Sequence, residues 1–216
     1  MNILITGSNG GIGGAIKEYL SFDDSTIFSP SSNELDLRDS KAIKKYLEDK
    51  LIDGVVHSAG INNIMSAKDV SEEILIDHFK VNAISLLQIC QNIKSENSII
   101  NVIAISSLYS HLSRIDRMPY VVSKHGLNGL IKSLALDFAP SLLVNSVSPG
   151  FVDTKMTRKN NSPEKIEEII SKIPTGKLVD SQDIASIVKY LLLENKSITG
   201  QNIIVDGGYS CGGFEK

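Results

Sequence analysis

"NILITGSNGGIGGAIKEYL", residues Asn2–Leu20, decides the fold. An apolar run, Ile3–Ile5, breaks into five glycines between Gly7 and Gly14, and Ile12, Ile16, Tyr19 and Leu20 then recur at helical spacing. The hydrophobic period changes from strand to helix across the glycines. The stretch predicts a strand over Asn2–Thr6, a tight turn, and a helix over Gly11–Leu20. Glycine opens backbone conformations closed to other residues and lets a ligand approach the main chain. A helix N-terminus beside it offers free N–H groups and a positive dipole end, which suits a pyrophosphate. The spacing is Gly7-x-x-x-Gly11-x-Gly13, neither GxGxxG nor GxxxxGK[ST], so P-loop phosphoryl chemistry is not indicated. Taken alone, the same glycines serve equally well for close helix–strand packing without any ligand.

The alternation continues outward from this unit. Strands are expected over Thr26–Ser29, Asp53–Gly60, Ser98–Ser107, Leu142–Gly150 and Asn202–Gly208. Helices are expected over Asp39–Asp49, Ser71–Ile93, Pro119–Ala139, Ser162–Ile173 and Ser181–Glu194. Ser98–Ser107 is almost wholly apolar, as a strand covered on both faces should be. The pattern is that of one α/β domain over 1–216, a doubly wound parallel sheet with helices on both faces. There is no internal repeat, low-complexity tract or linker. Two longer loops, Leu108–Met118 and Phe151–Asn161, follow strands and would edge the ligand crevice.

Composition narrows the function. A net charge of −3 leaves no basic surplus for phosphate backbones, and the chain has no Trp to stack on bases, so no nucleic acid partner is expected. No run approaches the ~18 apolar residues of a membrane span, and Gly7 interrupts the apolar start too early for a signal peptide. Cys90 and Cys211 lie outside any CxxC or Cys/His cluster. They read as reduced thiols, with no metal site and a cytoplasmic location.

Tyr120 and Lys124 stand four apart in a predicted helix and share a face. A free Tyr titrates near pH ~10. A neighbouring ammonium lowers that value and would let the pair exchange a proton with an alcohol or carbonyl near neutral pH. An ordinary helix surface with a solvated Lys has the same spacing. Ser107 ends the apolar strand upstream, where its hydroxyl could bind a substrate oxygen or simply terminate the strand. Asn82 interrupts a helical run, is a poor helix former, and would either bind an interior group or face solvent.

In this order, these features resemble the short-chain dehydrogenase/reductase family. The residues that carry the resemblance are "TGSNGGIG" (Thr6–Gly13), Asp36-Leu37, "SAG" (Ser58–Gly60), Asn82, Ser106-Ser107, "YVVSK" (Tyr120–Lys124), "SVSPGFVDT" (Ser146–Thr154) and "VDGG" (Val205–Gly208). They span essentially the whole chain. The resemblance implies a single Rossmann domain with about seven parallel strands. It implies NAD(P)(H)-dependent interconversion of a ketone and a secondary alcohol by hydride transfer. Tyr120 would be the proton donor and acceptor, and Lys124 would lower its pKa and hold the nicotinamide ribose. Ser107 would orient the substrate oxygen, and Asn82 would join a water-linked proton relay. Cofactor contact is implied for Gly7, Ser8, Asn9, Gly11, Ile12 and Gly13 in the turn, and for Ser58 and Val152. Asp36 and Leu37 would meet the adenine, Ala59 and Gly60 its ribose side, Pro149 and Gly150 the nicotinamide, and Thr154 the carboxamide.

The sequence departs from the family pattern in places. His57 stands where the family often has Asn, and it reads as a packed strand-end residue. Ser110 stands where Gly is usual, and the chain is trimmed between its second strand and Asn82. "FSPSSN" (Phe28–Asn33) has neither an acid for the ribose diol nor an Arg. The hydroxyls of Ser29, Ser31 or Ser32 could accept a 2′-phosphate, which favours NADP(H) over NAD(H). His111, Arg114 and Arg117 could recognise an anionic group or be solvated loop charges, and 151–173 matches the substrate lid in position. The substrate would be a small carbonyl or alcohol. The overall pattern is closest to 3-oxoacyl-[acyl-carrier-protein] reductases, with a polar keto-sugar or hydroxy acid as the alternative. A non-catalytic dinucleotide-binding sensor or scaffold is the alternative of another class, and the four residues Asn82, Ser107, Tyr120 and Lys124 argue against it. A homodimer or homotetramer through helices 71–93 and 119–139 is expected, using a face with Leu127, Leu130, Leu134 and Phe138.

Overall fold

A computed structural model of the chain describes residues 1–21 and 25–212. The expected domain span 1–216 also runs over 22–24 and 213–216, which lie outside the described residues. The strands are β1 (Asn2–Thr6), β2 (Thr26–Phe28), β3 (Gly54–His57), β4 (Ile100–Ile105), β5 (Leu142–Pro149) and β6 (Asn202–Val205). All pair in parallel, in the order β2-β1-β3-β4-β5-β6. The helices are α1 (Gly11–Leu20), α2 (Ser40–Leu47), α3 (Glu72–Phe79), α4 (Ser85–Asn92), α5 (Met118–Asp137), α6 (Lys155–Asn160), α7 (Pro163–Ser171) and α8 (Ser181–Leu193).

Alternation along the strands divides the core in two, because successive side chains point to opposite faces. Leu4, Val55, Val102, Ala104, Leu142 and Val144 face one side, under α2, α4 and α5. Ile3, Ile5, Val56, Ile103, Ile105 and Val147 face the other, under α1 and α8. Covered on both faces, the central strands have no polar side to show, and β4 therefore reads as continuously apolar.

Six strands among the described residues replace the expected seven. Only residues 29–39 separate β2 from α2. A parallel crossover needs about a dozen residues or more, so this stretch cannot lay another strand beyond β2. The chain instead passes through α2 to β3, on the other side of β1. The strand order reverses between β1 and β3, and the crevice opens at their C-terminal ends.

The long helix expected over Ser71–Ile93 is divided. Between α3 and α4, residues Lys80–Ile84 form a π-turn. The wider turn frees the Val81 carbonyl for side chains, and both the Ser85 hydroxyl (2.9 Å) and the His57 ring (3.2 Å) take it. The loops over 108–118 and 151–161 are partly ordered, by a 3₁₀ turn at Leu108–Ser110 and by α6. Leu127 and Leu134 are buried in the chain's own core, with Leu130 and Phe138 packed against it, so the expected oligomer face is not theirs. No helix among the described residues is long and apolar enough to cross a membrane.

Candidate active site

The glycine turn closes against the loop after β3. Gly7 has φ +71°, and a Cβ there would lie 2.5 Å from the Ala59 nitrogen. A Cβ on Gly13 would lie 2.3 Å from the Gly7 carbonyl oxygen. Packing alone therefore forbids side chains at both positions. Gly10 caps α1 without a side-chain hydrogen bond, and the first turn of the helix carries no acid. Its N–H groups are left for an anion.

The turn forms one end of a cleft of ≈ 490 Å³. Gly7, Ser8, Asn9, Gly11, Ile12 and Gly13 line it, as do Ser31, Asp36, Leu37, Ser58, Ala59, Gly60, Tyr120, Lys124 and Thr154. The volume lies within the ~300–1,000 Å³ common for ligand sites. The donor-rich backbone suits a dinucleotide pyrophosphate.

Around the other end three elements, the π-turn, the end of β4 and α5, bring polar side chains together. Asn82, in the π-turn, is fully buried. Its Oδ1 accepts from the Ile61 N–H at 2.8 Å, and its Nδ2 donates to the Ile61 carbonyl at 3.1 Å and to Ser123 Oγ at 2.8 Å. It thus binds an interior backbone group rather than facing solvent. Lys124 is 3% exposed and donates from Nζ to the Ile105 carbonyl at 2.8 Å. The Nζ lies 5.7 Å from the centre of the Tyr120 ring. Gly60 faces both residues, for a Cβ there would lie 3.3 Å from Asn82 Oδ1 and 3.7 Å from Lys124 Nζ. Ser107 is buried and extended at the end of β4, and its hydroxyl accepts from the Tyr109 N–H at 3.1 Å.

Burial dominates the electrostatics. It pushes the Tyr120 hydroxyl above its ordinary pKa, while a hydrogen bond with Ser107 and the charge of Arg117 act the other way. Burial lowers the Lys124 pKa to about 8. Arg117 also bears on the tyrosine, which the spacing of Tyr120 and Lys124 gave no reason to expect. His57 is fully buried and packed, as its strand-end position suggested. Its Nδ1 shares a 2.9 Å hydrogen bond with Thr6 Oγ1, and its Nε2 reaches the Val81 carbonyl and Ser85. Burial, helped by Lys124, lowers its pKa to about 4, so the ring is neutral.

Other expected residues are placed differently. Ser29 is outside the cleft lining and accepts from Lys17 Nζ at 2.8 Å. Ser31 lines the cleft, but its N–H and hydroxyl both donate to Glu34 at 2.8 Å. Pro149 is buried at the end of β5, and a Cβ on Gly150 would meet Asp206 at 2.7 Å. Val152 is in the core, bridged to Val179. Thr154 caps α6 and packs against Gly11. Ser110 replaces the expected glycine with a buried hydroxyl 3.2 Å from Ser148 Oγ. Arg38 and Asn62 also line the cleft and went unnoticed in the sequence. Arg38 directly follows Asp36-Leu37, but its partner Asp77 lies on α3, a pairing that local spacing does not reveal.

The family model described as enoyl-(acyl carrier protein) reductase matches residues 30–210. The chain is 33% identical over 230 residues to 3-oxoacyl-[acyl-carrier-protein] reductase FabG of Rickettsia bellii, covering 95% of each. Among solved structures it resembles 4-hydroxyisoleucine dehydrogenase, in a mutant form complexed with NADH and succinate, at TM-score 0.89 and 26% identity, covering 98% of this chain and 99% of that one. It also resembles an NADP-bound candidate 2-deoxy-D-gluconate 3-dehydrogenase from Agrobacterium tumefaciens, at TM-score 0.87 and 26% identity, covering 97% of this chain and 96% of the other.

Proposed function

The chain belongs to the short-chain dehydrogenase/reductase family of NAD(P)-dependent oxidoreductases, and from that premise we propose that it interconverts a ketone and a secondary alcohol. The observation that carries this reading is that Tyr120 and Lys124 line one end of a cleft whose other end is the glycine turn, with Ser107 against Tyr120 and Asn82 beside Gly60 just behind the lining. The bound nicotinamide would supply hydride chemistry. The residues to hold the nucleotide are the turn Gly7–Gly13, Asp36, Leu37, Ser58–Gly60, Thr154 and Lys124, which line the cleft, whereas Ser29, Pro149, Gly150 and Val152 lie outside its lining.

Tyr120 holds the proton that the substrate oxygen gains or loses, and Ser107 orients that oxygen. Lys124, buried and near pH 8 in its titration, carries a charge that an added ribose hydroxyl or phosphate would favour. Asn82 holds the Gly60–Ile61 backbone through two hydrogen bonds and leaves α5 anchored through Ser123.

We propose NADP(H) over NAD(H). Lys17, held on Ser29 at the end of β2, supplies positive charge for a 2′-phosphate, and Glu34 on Ser31 opposes it. The substrate is either a 3-oxoacyl thioester or a smaller polar keto or hydroxy compound. The chain is proposed as one domain with a lid over 151–173, cytoplasmic, its Cys90 and Cys211 unpaired. The proposed homo-oligomer would bury Ile76, Ile84, Val122 and Leu136, which are exposed on α3, the π-turn and α5.

The testing experiment is a thermal-melt titration with NADPH and, separately, NADH. A nucleotide at 100 times its Kd adds about 2.7 kcal/mol when it binds only the folded state. A larger shift with NADPH is expected. No shift with either would remove the dinucleotide reading.

A further inference from the structure

Resting on the reading above, we propose that Arg114 and Arg117 form a clamp beside Tyr120 that selects a small substrate carrying a carboxylate near its reacting carbon. Both lie in the loop between Ser107 and Tyr120. Arg117 Nη1 donates to Asn62 Oδ1 at 2.9 Å, and Asn62 lines the cleft. Arg114 Nη1 donates to the Tyr109 hydroxyl at 3.0 Å, and its guanidinium stands 5.9 Å from the centre of the Phe151 ring. The two arginines therefore tie the edge of the cleft to the first residue of the lid.

Their charges lack a matching acid. Arg38 and Arg158 both make salt bridges, whereas among the described residues neither Arg114 nor Arg117 does. Each spends a guanidinium N–H on a neutral oxygen instead. Partial burial and the like charge of Arg114 both work against the charge on Arg117, with Asp116 and two tyrosines only partly offsetting them. The backbone holds them there. Asp116 has φ +61°, rare for a residue with a side chain, and its carbonyl accepts the Met65 N–H at 3.0 Å. Arg117 then caps the 20-residue α5 without a side-chain hydrogen bond, and no acid sits in the first turn of that helix.

Two half-buried guanidiniums beside a helix N-terminus form a positive corner that a neutral sugar would leave uncompensated. A carboxylate would accept from both arginines in the fork geometry that arginine favours. It would also place the neighbouring carbonyl next to the tyrosine that feels Arg117. A phosphate has the same attraction, and the experiment separates the two.

Calorimetric titration with glutarate, glutaramide and inorganic phosphate is run on the free protein and on the nucleotide complex. Glutarate is expected to bind most tightly. Arg117→Gln should weaken glutarate by about 10- to 100-fold, the worth of a hydrogen bond to a charged group. Arg117→Lys should recover part of that loss. In turnover, the ratio of kcat/KM for acetoacetate to that for its methyl ester should favour the acid and fall by a similar factor in Arg117→Gln. Arg114→Lys, which keeps the charge but loses the fork, should lower the ratio less. Glutaramide binding as tightly as glutarate, phosphate binding more tightly than either, or an unchanged ratio in both Arg117→Gln and Arg114→Lys would overturn the clamp. Failure of the dinucleotide reading looks different, since neither NADPH nor NADH would bind while glutarate still bound the free protein.

Discussion

The two ends of the cleft are built from different materials. The proposed nucleotide end is backbone: glycines at 7 and 13 with no room for a Cβ, and the uncapped start of α1. The proposed catalytic end is side chains brought from the π-turn, from the end of β4 and from α5. A backbone site tolerates no added atoms but asks little of electrostatics. A side-chain site depends on which charges burial permits. The neutral His57, the suppressed Lys124 and the raised Tyr120 all lie at that second end.

Four changes sharpen or break this contrast. Tyr120→Phe should cost about 10²- to 10⁴-fold in kcat, the usual worth of a positioned acid or base. The nucleotide Kd should move by less than about threefold, because the phenol serves the chemistry more than the binding. Single-turnover kinetics beside a nucleotide titration reads both numbers, and retained turnover would break the assignment. At the opposite end, Gly7→Ala should cost stability rather than chemistry, about 3 kcal/mol, because the new Cβ meets the Ala59 backbone in a left-handed conformation. Urea unfolding measures it, and a loss below about 1 kcal/mol would mean that the turn yields.

The buried histidine gives a pH signature. The His57 pKa is 6.5 when unfolded and about 4 in the fold, so the unfolded chain takes up the proton first. Its stabilising contribution is whole above pH 6.5 and declines as the pH falls to about 4, by up to ~3 kcal/mol at 1.36 kcal/mol per unit. His57→Asn should flatten the stability profile across that window, measured as the difference from wild type. An identical slope in both proteins would mean that the ring is not held neutral.

Lys124 gives the smallest effect, of the same sense but at higher pH. Its pKa falls from 10.5 to about 8 on folding, so the folded chain releases the proton first and stability rises with pH between those values. Below pH 8 the buried ammonium is a standing cost. Lys124→Met removes that cost and also the hydrogen bond to Ile105, for a net gain of about 1–2 kcal/mol at pH 7. The gain should vanish toward pH 10.5 while turnover is lost throughout. A variant that melts below wild type at pH 7 would show that the Ile105 bond outweighs the buried charge.

Local spacing made much of this legible. The strand–glycine–helix unit of β1 and α1 was readable to the residue, because hydrophobic period and glycine placement are properties of neighbouring positions. The parallel sheet followed from strand and helix alternating, and Tyr120 and Lys124, read one helical turn apart, both line the cleft. Tertiary structure decided the rest. It removed a strand, because residues 29–39 are too short a crossover. It opened a π-turn at Asn82, turned Leu127 and Leu134 into the chain's own core, and left Val122 and Leu136 outside. It raised the Tyr120 pKa and lowered that of the lysine one helical turn away by burying both, and no spacing reports burial.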